Sequence, residues 1–338
     1  MRFTLLLLLL LGSSTAMHAQ APTKPAEPAA PKPPPPKAYA DPAETDDDYI
    51  IQGEYEGTDK EGNKFGGQIV ALGEGKFDAV GYKGGLPGAG WDGNRDGISR
   101  ASGSRQKGEM TVVFNGDKAR GEVDGAKIFV TAMHKEPIME LKRVKRESPT
   151  LGAAAPAGAV VLFDGKGINQ FPKARTTPDG LLMEGATSED KFSDFSIHLE
   201  FRLPYMPTAR GQGRGNSGIY LQGRYEVQML DSFGLEGKDN ECGGIYKVSQ
   251  PKVNMCYPPL TWQTYDIDFT SAKYDAEGKK TSSAKLTVKH NGVLIQENVE
   301  IPGATGSAPL KEENSPGPIF LQNHGNPVRY RNIWVVKK

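Results

Sequence analysis

The chain has 338 residues, enough for about two domains, and its 41 basic and 41 acidic side chains leave no formal net charge. Residues 159–338 alone hold 21 basic and 20 acidic groups, so neutrality hides no basic half. Neither a nucleic-acid footprint nor a polybasic lipid-binding cluster is present. Hydrophobic residues make up 37%, enough for a real core but far from a multi-span membrane protein, and 41 glycines with 25 prolines mark a turn-rich chain.

Arg2, an apolar run over residues 5–11, and small residues leading to Ala16 and Ala19 have the order of a secretory signal peptide spanning residues 1–19. The run is too short for an anchored bilayer helix. The expectation is an exported protein, periplasmic or extracellular, with no membrane insertion after signal cleavage. In an oxidising compartment Cys242 and Cys256, the only cysteines, are expected to close their loop as a disulfide, with two buried thiols as the alternative. Residues 20–45 are proline-rich and read as an extended linker.

Residues 46–147 read as a small all-β domain. Short apolar runs alternate with Gly73-Glu74-Gly75, Asn115-Gly116 and Asp124-Gly125, and the last two are strong hairpin signals. The glycine-rich loop 84–97 carries Asp92, Asn94, Asp96 and Gly97 in calcium-loop spacing. Gly103 stands where a bidentate Glu is needed, which favours an ordinary Asx-turn loop. The basic cluster 142–146 reads as the solvated edge of a last strand. Residues 148–158 read as a second linker.

Residues 159–338 read as a larger β domain. Phe195, Ile197, Leu199 and Phe201 alternate with Ser196, His198, Glu200 and Arg202, the pattern of a half-buried strand. Tyr265, Ile267 and Phe269 repeat it, and His290-Asn291-Gly292 marks a hairpin. Eight or more such strands suggest a two-sheet sandwich or jelly roll.

Two blocks carry candidate chemistry. In residues 215–232, alternation sets Glu226 and Gln228 on one face and Tyr225, Val227 and Met229 on the other. With Arg224 and Tyr220 nearby, that polar face suits a sugar, or is simply solvated. Asp231 at the strand end offers a second carboxylate. In residues 318–335, Gln322 and His324 end one strand, and Arg329 and Arg331 project from the next. His324 reads as an acid/base group or as a structural turn histidine. Trp262 reads as core or as a sugar platform. His198 and His134 are placed on strand surfaces and His290 in a hairpin turn.

These blocks, with VVLFDGKGINQF (160–171) and KHNGVLIQ (289–296), resemble the 3-keto-disaccharide hydrolase family, also described as the 3-keto-glucoside 1,2-lyase / 3-keto-2-hydroxy-glucal hydratase domain. The resemblance covers about residues 159–338. It implies an all-β, concanavalin-like β-sandwich (jelly roll) domain, preceded here by the small β domain as an accessory module. It also implies a 3-keto-glycoside substrate supplied by a sugar 3-dehydrogenase, cleaved by C2 proton abstraction, β-elimination and hydration. On that chemistry Glu226 is expected as base, with Asp231 as partner or alternative, His324 as acid/base, and Arg331 or Arg224 as enolate stabiliser. Gln228, Gln322, Tyr220 and Trp262 are expected to hold the sugar. No cofactor is certain from these residues, and a divalent metal near Glu226, Asp231 or His324 could replace the arginine. Three other readings stay open: an ordinary two-carboxylate glycosidase, which needs its carboxyls about 5–9 Å apart, a non-catalytic lectin-like module, and a secreted scaffold whose N-terminal module binds a wall component.

Overall fold

Glu74 adopts φ 56° between Gly73 and Gly75, both left-handed, and this tight reversal opens the pairing of two long strands. Asn115-Gly116 and Asp124-Gly125 serve the same purpose further on. The computed structural model describes residues 35–105, 109–116, 119–132, 136–166 and 170–338. The expected signal peptide, residues 20–34 of the proline-rich run and His134 lie outside the described residues. In the first half the strands are β1 (Gly53–Asp59), β2 (Lys64–Gly73), β3 (Lys76–Lys83), β4 (Ser99–Arg105), β5 (Val112–Asn115), β6 (Ala119–Val123), β7 (Lys127–Ala132) and β8 (Pro137–Val144).

Each pairs antiparallel with the next, and β8 returns to β1, which closes an eight-stranded barrel. One end is plugged. The short helix α1 (Asp48–Ile51) drops Ile51 onto Tyr55, Ile69, Phe77 and Val123, and Asp48 accepts the Gly75 amide at 2.8 Å. Closure also overturns the edge-strand reading of residues 142–146, because a closed barrel has no edge. Arg143 instead donates to Gln52 O at 2.6 Å, and Arg146 grips Glu54 with two bonds of 2.7 and 2.5 Å. The 84–97 loop is built from Asx turns, with Asp92 and Asn94 accepting the amides two residues on.

The later strands are β9 (Val160–Phe163), β10 (Leu182–Met183), β11 (Ala186–Phe192), β12 (Phe195–Arg202), β13 (Ser217–Leu221), β14 (Tyr225–Met229), β15 (Trp262–Thr270), β16 (Lys273–Tyr274), β17 (Lys280–Ser282), β18 (Ala284–His290), β19 (Val293–Ile301), β20 (Gly317–Leu321) and β21 (Arg329–Lys337). One sheet has the order β10-β21-β12-β15-β18-β19, with β9 also on β21; the other runs β11-β20-β13-β14; β16 and β17 form a small separate hairpin.

The two large sheets share one core, the arrangement of a β-sandwich. Tyr225 of the smaller sheet packs on Phe269 of the larger with ring centroids 5.4 Å apart, and Tyr265 donates across the core to Gln228 O at 2.7 Å.

Strand β12 buries Phe195, Ile197, Leu199 and Phe201 as its alternation predicts, but His198 and Glu200 on its other face are buried as well. The cause is the 148–153 segment, which lies across that face. The Gly152 amide donates to Glu200 Oε1 at 2.6 Å, the Thr150 hydroxyl to Asp266 at 2.7 Å, and Trp334 Nε1 to Ala153 O at 3.2 Å.

Candidate active site

The smaller sheet positions the site through simple alternation. Ser217, Ile219 and Leu221 of β13 face the core with Tyr225, Val227 and Met229 of β14, so Gly218, Tyr220, Glu226 and Gln228 share the opposite face. Register then lays them out in two rows. Phe320, Tyr220 and Glu226 form one; Gln322, Gly218 and Gln228 form the next, with the Gln322 amide donating to Gly218 O at 2.9 Å. The outer edge of β14 is covered by residues 243–246, whose backbone bonds to Glu226 and Gln228, so the second row is walled rather than open to a neighbouring strand.

A glycine at the centre of the second row makes room for a carboxylate. A β-carbon added to Gly218 would collide with Glu226 Oε1 and lie 2.9 and 3.0 Å from its Cγ and Cδ. The Glu226 carboxyl therefore leans over the vacant middle of the row. It is 2% exposed, and burial pushes its pKa up to about 7, partly offset by a hydrogen bond from the Tyr220 hydroxyl. Tyr220 is in turn held by Gln322, whose Nε2 donates to its oxygen at 3.1 Å. Burial and the adjacent Glu226 raise the Tyr220 phenol above its usual range, so it stays protonated and can donate. A carboxylate titrating near neutrality beside a protonated phenol is a base and a proton donor in one place.

The surrounding amides have a shared deficiency. Among the described residues four buried side-chain oxygens receive no hydrogen bond, and three of them are here: Asn216 Oδ1, Gln228 Oε1 and Gln322 Oε1. The amide nitrogens of Asn216 and Gln228 are occupied, each donating to Gln212 Oε1 at 3.1 and 3.0 Å. Buried acceptors of this kind call for donors from a bound molecule or water. A polyhydroxylated ligand supplies several at once.

Of the expected site residues, Glu226, Gln228, Tyr220 and Gln322 are thus brought together. Arg224 is on the same face, but its guanidinium is held by Ser315, with bonds of 2.9 Å to the carbonyl and 3.2 Å to the hydroxyl. His324 occupies the exposed turn after β20. The ends of that turn touch the site, Gln322 through Tyr220 and Asn326 through the Asn216 amide at 2.7 Å.

Three expectations need correction. Asp231 is not beside Glu226. Odd-numbered parity carries it to the core side, where it accepts from Arg214 Nε at 2.6 Å and from the Phe233 amide. The pairing of two carboxylates across one bond, as an ordinary glycosidase requires, therefore lacks its second member. Arg331 and Trp262 belong to the other large sheet. Arg331 donates to Glu200 at 2.6 Å and stacks 4.1 Å over the Trp262 ring, on the outer face of that sheet. There burial alone would raise the Glu200 carboxyl, but bonds from His198, Asn332, Arg331 and the Gly152 amide hold it down to about 2. That cluster is internally satisfied and fixes the 148–153 segment. Finally, Cys242 and Cys256 are both buried free thiols, not a disulfide. Each bonds locally, the Cys242 thiol with the Tyr265 hydroxyl at 3.2 Å and the Cys256 thiol to Leu230 O at 3.5 Å.

For the metal expectation, no three His, Cys, Asp or Glu side chains among the described residues are placed to share an ion. Asn216, Gln212 and Asn326 are site residues that the sequence reading missed. Asn216 had a usable signal, since it is in phase with Gly218 and Tyr220.

The role of Gly218 leads to a simple expectation. Gly218→Ala should leave the fold intact but displace the Glu226 carboxyl, lowering kcat about tenfold to a hundredfold, in line with the cost of small misplacements. Steady-state kinetics beside a thermal melt measures this. Full activity in a stable Gly218→Ala protein would show that the carboxyl's seat is unimportant.

These residues lie in the half of the chain that is similar to known proteins. The family described as "3-keto-alpha-glucoside-1,2-lyase-like domain" matches residues 158–336. A solved structure of a candidate glycosyl hydrolase from Parabacteroides distasonis is 35% identical, covering 54% of this chain and 85% of that one, with a TM-score of 0.50. Two further candidate glycosyl hydrolases from the same organism are 18% and 20% identical, covering 54% and 53% of this chain and 94% and 99% of theirs, with TM-scores of 0.39 and 0.37. No curated protein matches the chain.

Proposed function

The chain belongs to the 3-keto-alpha-glucoside-1,2-lyase-like domain family, and from that premise we propose that it cleaves 3-keto-glycosides with Glu226 as the base. The observation that carries this reading is the Glu226 carboxyl, which burial pushes up to about 7 with no arginine partner and which lies among three unpaired amide oxygens. A 3-keto group makes the sugar's C2 proton acidic, so a carboxylate of modest basicity suffices.

Glu226 takes the C2 proton, and the electron pair passes through the enolate to form the C1–C2 double bond. The C1–O bond breaks, and the leaving oxygen takes a proton. Water then adds, oxygen to C1 and a proton to C2, giving net hydrolysis. The Tyr220 hydroxyl is the donor closest to this chemistry, and we assign to it the stabilising role first expected of Arg331. His324 is retained as acid/base for the leaving oxygen, because its turn is tied to Gln322 and Asn216. The unpaired oxygens of Asn216, Gln228 and Gln322 accept from sugar hydroxyls. We further propose a concanavalin-like jelly roll for residues 159–338 and export directed by residues 1–19, so that the enzyme meets sugars already oxidised at C3 by a dehydrogenase.

The test is to offer purified protein a 3-keto-glucoside and its unoxidised parent while following enone absorbance and released sugar. The expected result is turnover of the keto sugar alone. Cleavage of the parent sugar would support two-carboxylate chemistry, and binding without cleavage of either would support a lectin.

A further inference from the structure

The eight-stranded barrel is outside residues 158–336, and its interior is only half filled. At the end plugged by α1, the inward positions are large and buried: Tyr55, Ile69, Phe77, Val112 and Val123. Toward the opposite end the same inward phase reads Gly67, Ala79, Gly81, Ala101 and Gly121. Strand registers place these small residues against one another, Gly67 beside Gly81 and Ala79 beside Ala101. Where side chains are missing, a cavity of about 590 Å³ remains, walled by Phe65, Phe114, Ile128, Val130, Met139 and Leu141. Glycine weakens a strand interior, so a run of small inward residues costs stability unless the space is used.

We propose that this cavity is a binding site for a single-chain amphipathic carboxylate, its aliphatic tail inside the barrel and its head at the open end. The volume falls in the range of small-molecule pockets and, at roughly 30 Å³ per heavy atom, holds about twenty atoms. Eight-stranded barrels are of a size to enclose one small ligand. The walls near the closed end offer only apolar groups, which excludes a sugar as the occupant. Among the described residues, the charged ones that line the cavity are the cations Lys83, Arg100 and Arg120. Arg120 is paired with Glu122 and Arg100 donates to Gly234 O. Lys83, opposite Phe65 in the inward phase of β3, has no ion pair among the described residues and is at the rim. An acyl carboxylate satisfies both features, since its tail fills the apolar space and its head meets Lys83.

The experiment is calorimetric titration of the full mature protein with octanoate, decanoate, dodecanoate and dodecanol. Affinity should tighten about fourfold for each added methylene until the cavity is full, and dodecanoate should bind more tightly than the alcohol. Gly121→Leu should weaken dodecanoate at least tenfold without lowering the melting temperature. A β-carbon at Gly121 meets only Phe114 Cβ at 3.8 Å and Ile128 Cγ2 at 3.9 Å, ordinary contacts that let the new side chain enter the cavity. Ala101→Leu is the second filling variant, should the first fail to fold. Lys83→Glu should remove the preference for carboxylate over alcohol, and turnover of the keto sugar should not change in any of the three. No saturable binding by the wild type, no dependence on chain length, or undiminished binding in a folded cavity-filled variant would overturn the proposal.

Discussion

Glu226→Gln is expected to lower turnover of a 3-keto-glucoside by about 10²- to 10⁴-fold, the usual contribution of a positioned base, and at pH 8 to make the protein more stable. The two effects have one cause. Burial raises the folded-state pKa from 4.5 to about 7, so between those values the folded protein keeps a proton that the unfolded chain has released. Stability therefore falls as pH rises through that window and stays at its floor above about 7. At 1.36 kcal/mol per unit the penalty is up to about 3 kcal/mol. Glutamine carries no charge and escapes it. Urea unfolding at pH 4 and pH 8 should show the variant gaining on the wild type only at the higher pH. An active variant would remove Glu226 as base, and an equally stable one would mean that the carboxyl is well solvated.

Asp231→Ala should show the opposite character, a large loss of stability with the chemistry of the folded fraction preserved. Asp231 is buried against Arg214, whose Nη1 also reaches Ala71 O of β2 at 3.2 Å and Pro207 O at 3.3 Å. Removing the carboxylate leaves a buried guanidinium unpaired, which costs about 3–5 kcal/mol. Replacing both partners with apolar residues should cost much less. Urea midpoints for the single and double variants test this, and kcat/KM at low temperature checks the chemistry. A stable but inactive Asp231→Ala protein would return Asp231 to the active site and contradict the parity argument.

Much of this was legible in the sequence because a strand's period of two is a geometric fact. Alternation alone separated Glu226 and Gln228 from Tyr225, Val227 and Met229, and it also carried the unused signals for Asn216 and for the core-side placement of Asp231. Turn residues at Asn115-Gly116 and Asn291-Gly292 fixed hairpins for the same local reason. What alternation does not encode is partnership over distance. It gave strands in residues 46–147 but not their closure, so the 142–146 cluster read as an edge. It showed that His198 and Glu200 face away from the core, but not that residues 148–153 would cover them. Nor could it say that Arg331 and Trp262 belong to a different sheet from Glu226, since both blocks read as sugar-compatible strands. The hollow in the barrel was written as Gly67, Ala79, Gly81, Ala101 and Gly121, yet small residues signal a cavity only once the register places them side by side.

If Glu226 is the base, its buried carboxyl, pushed up to about 7, must lose its proton before the enzyme can act. The pH dependence of kcat/KM for a 3-keto-glucoside tests it most directly, because that profile reports ionisations of the free enzyme. The expected profile has a rising limb with a midpoint near 7, activity being carried by the deprotonated form, and that limb is lost in Glu226→Gln. A limb centred near 4.5, or activity that falls as pH rises through 7, would contradict it.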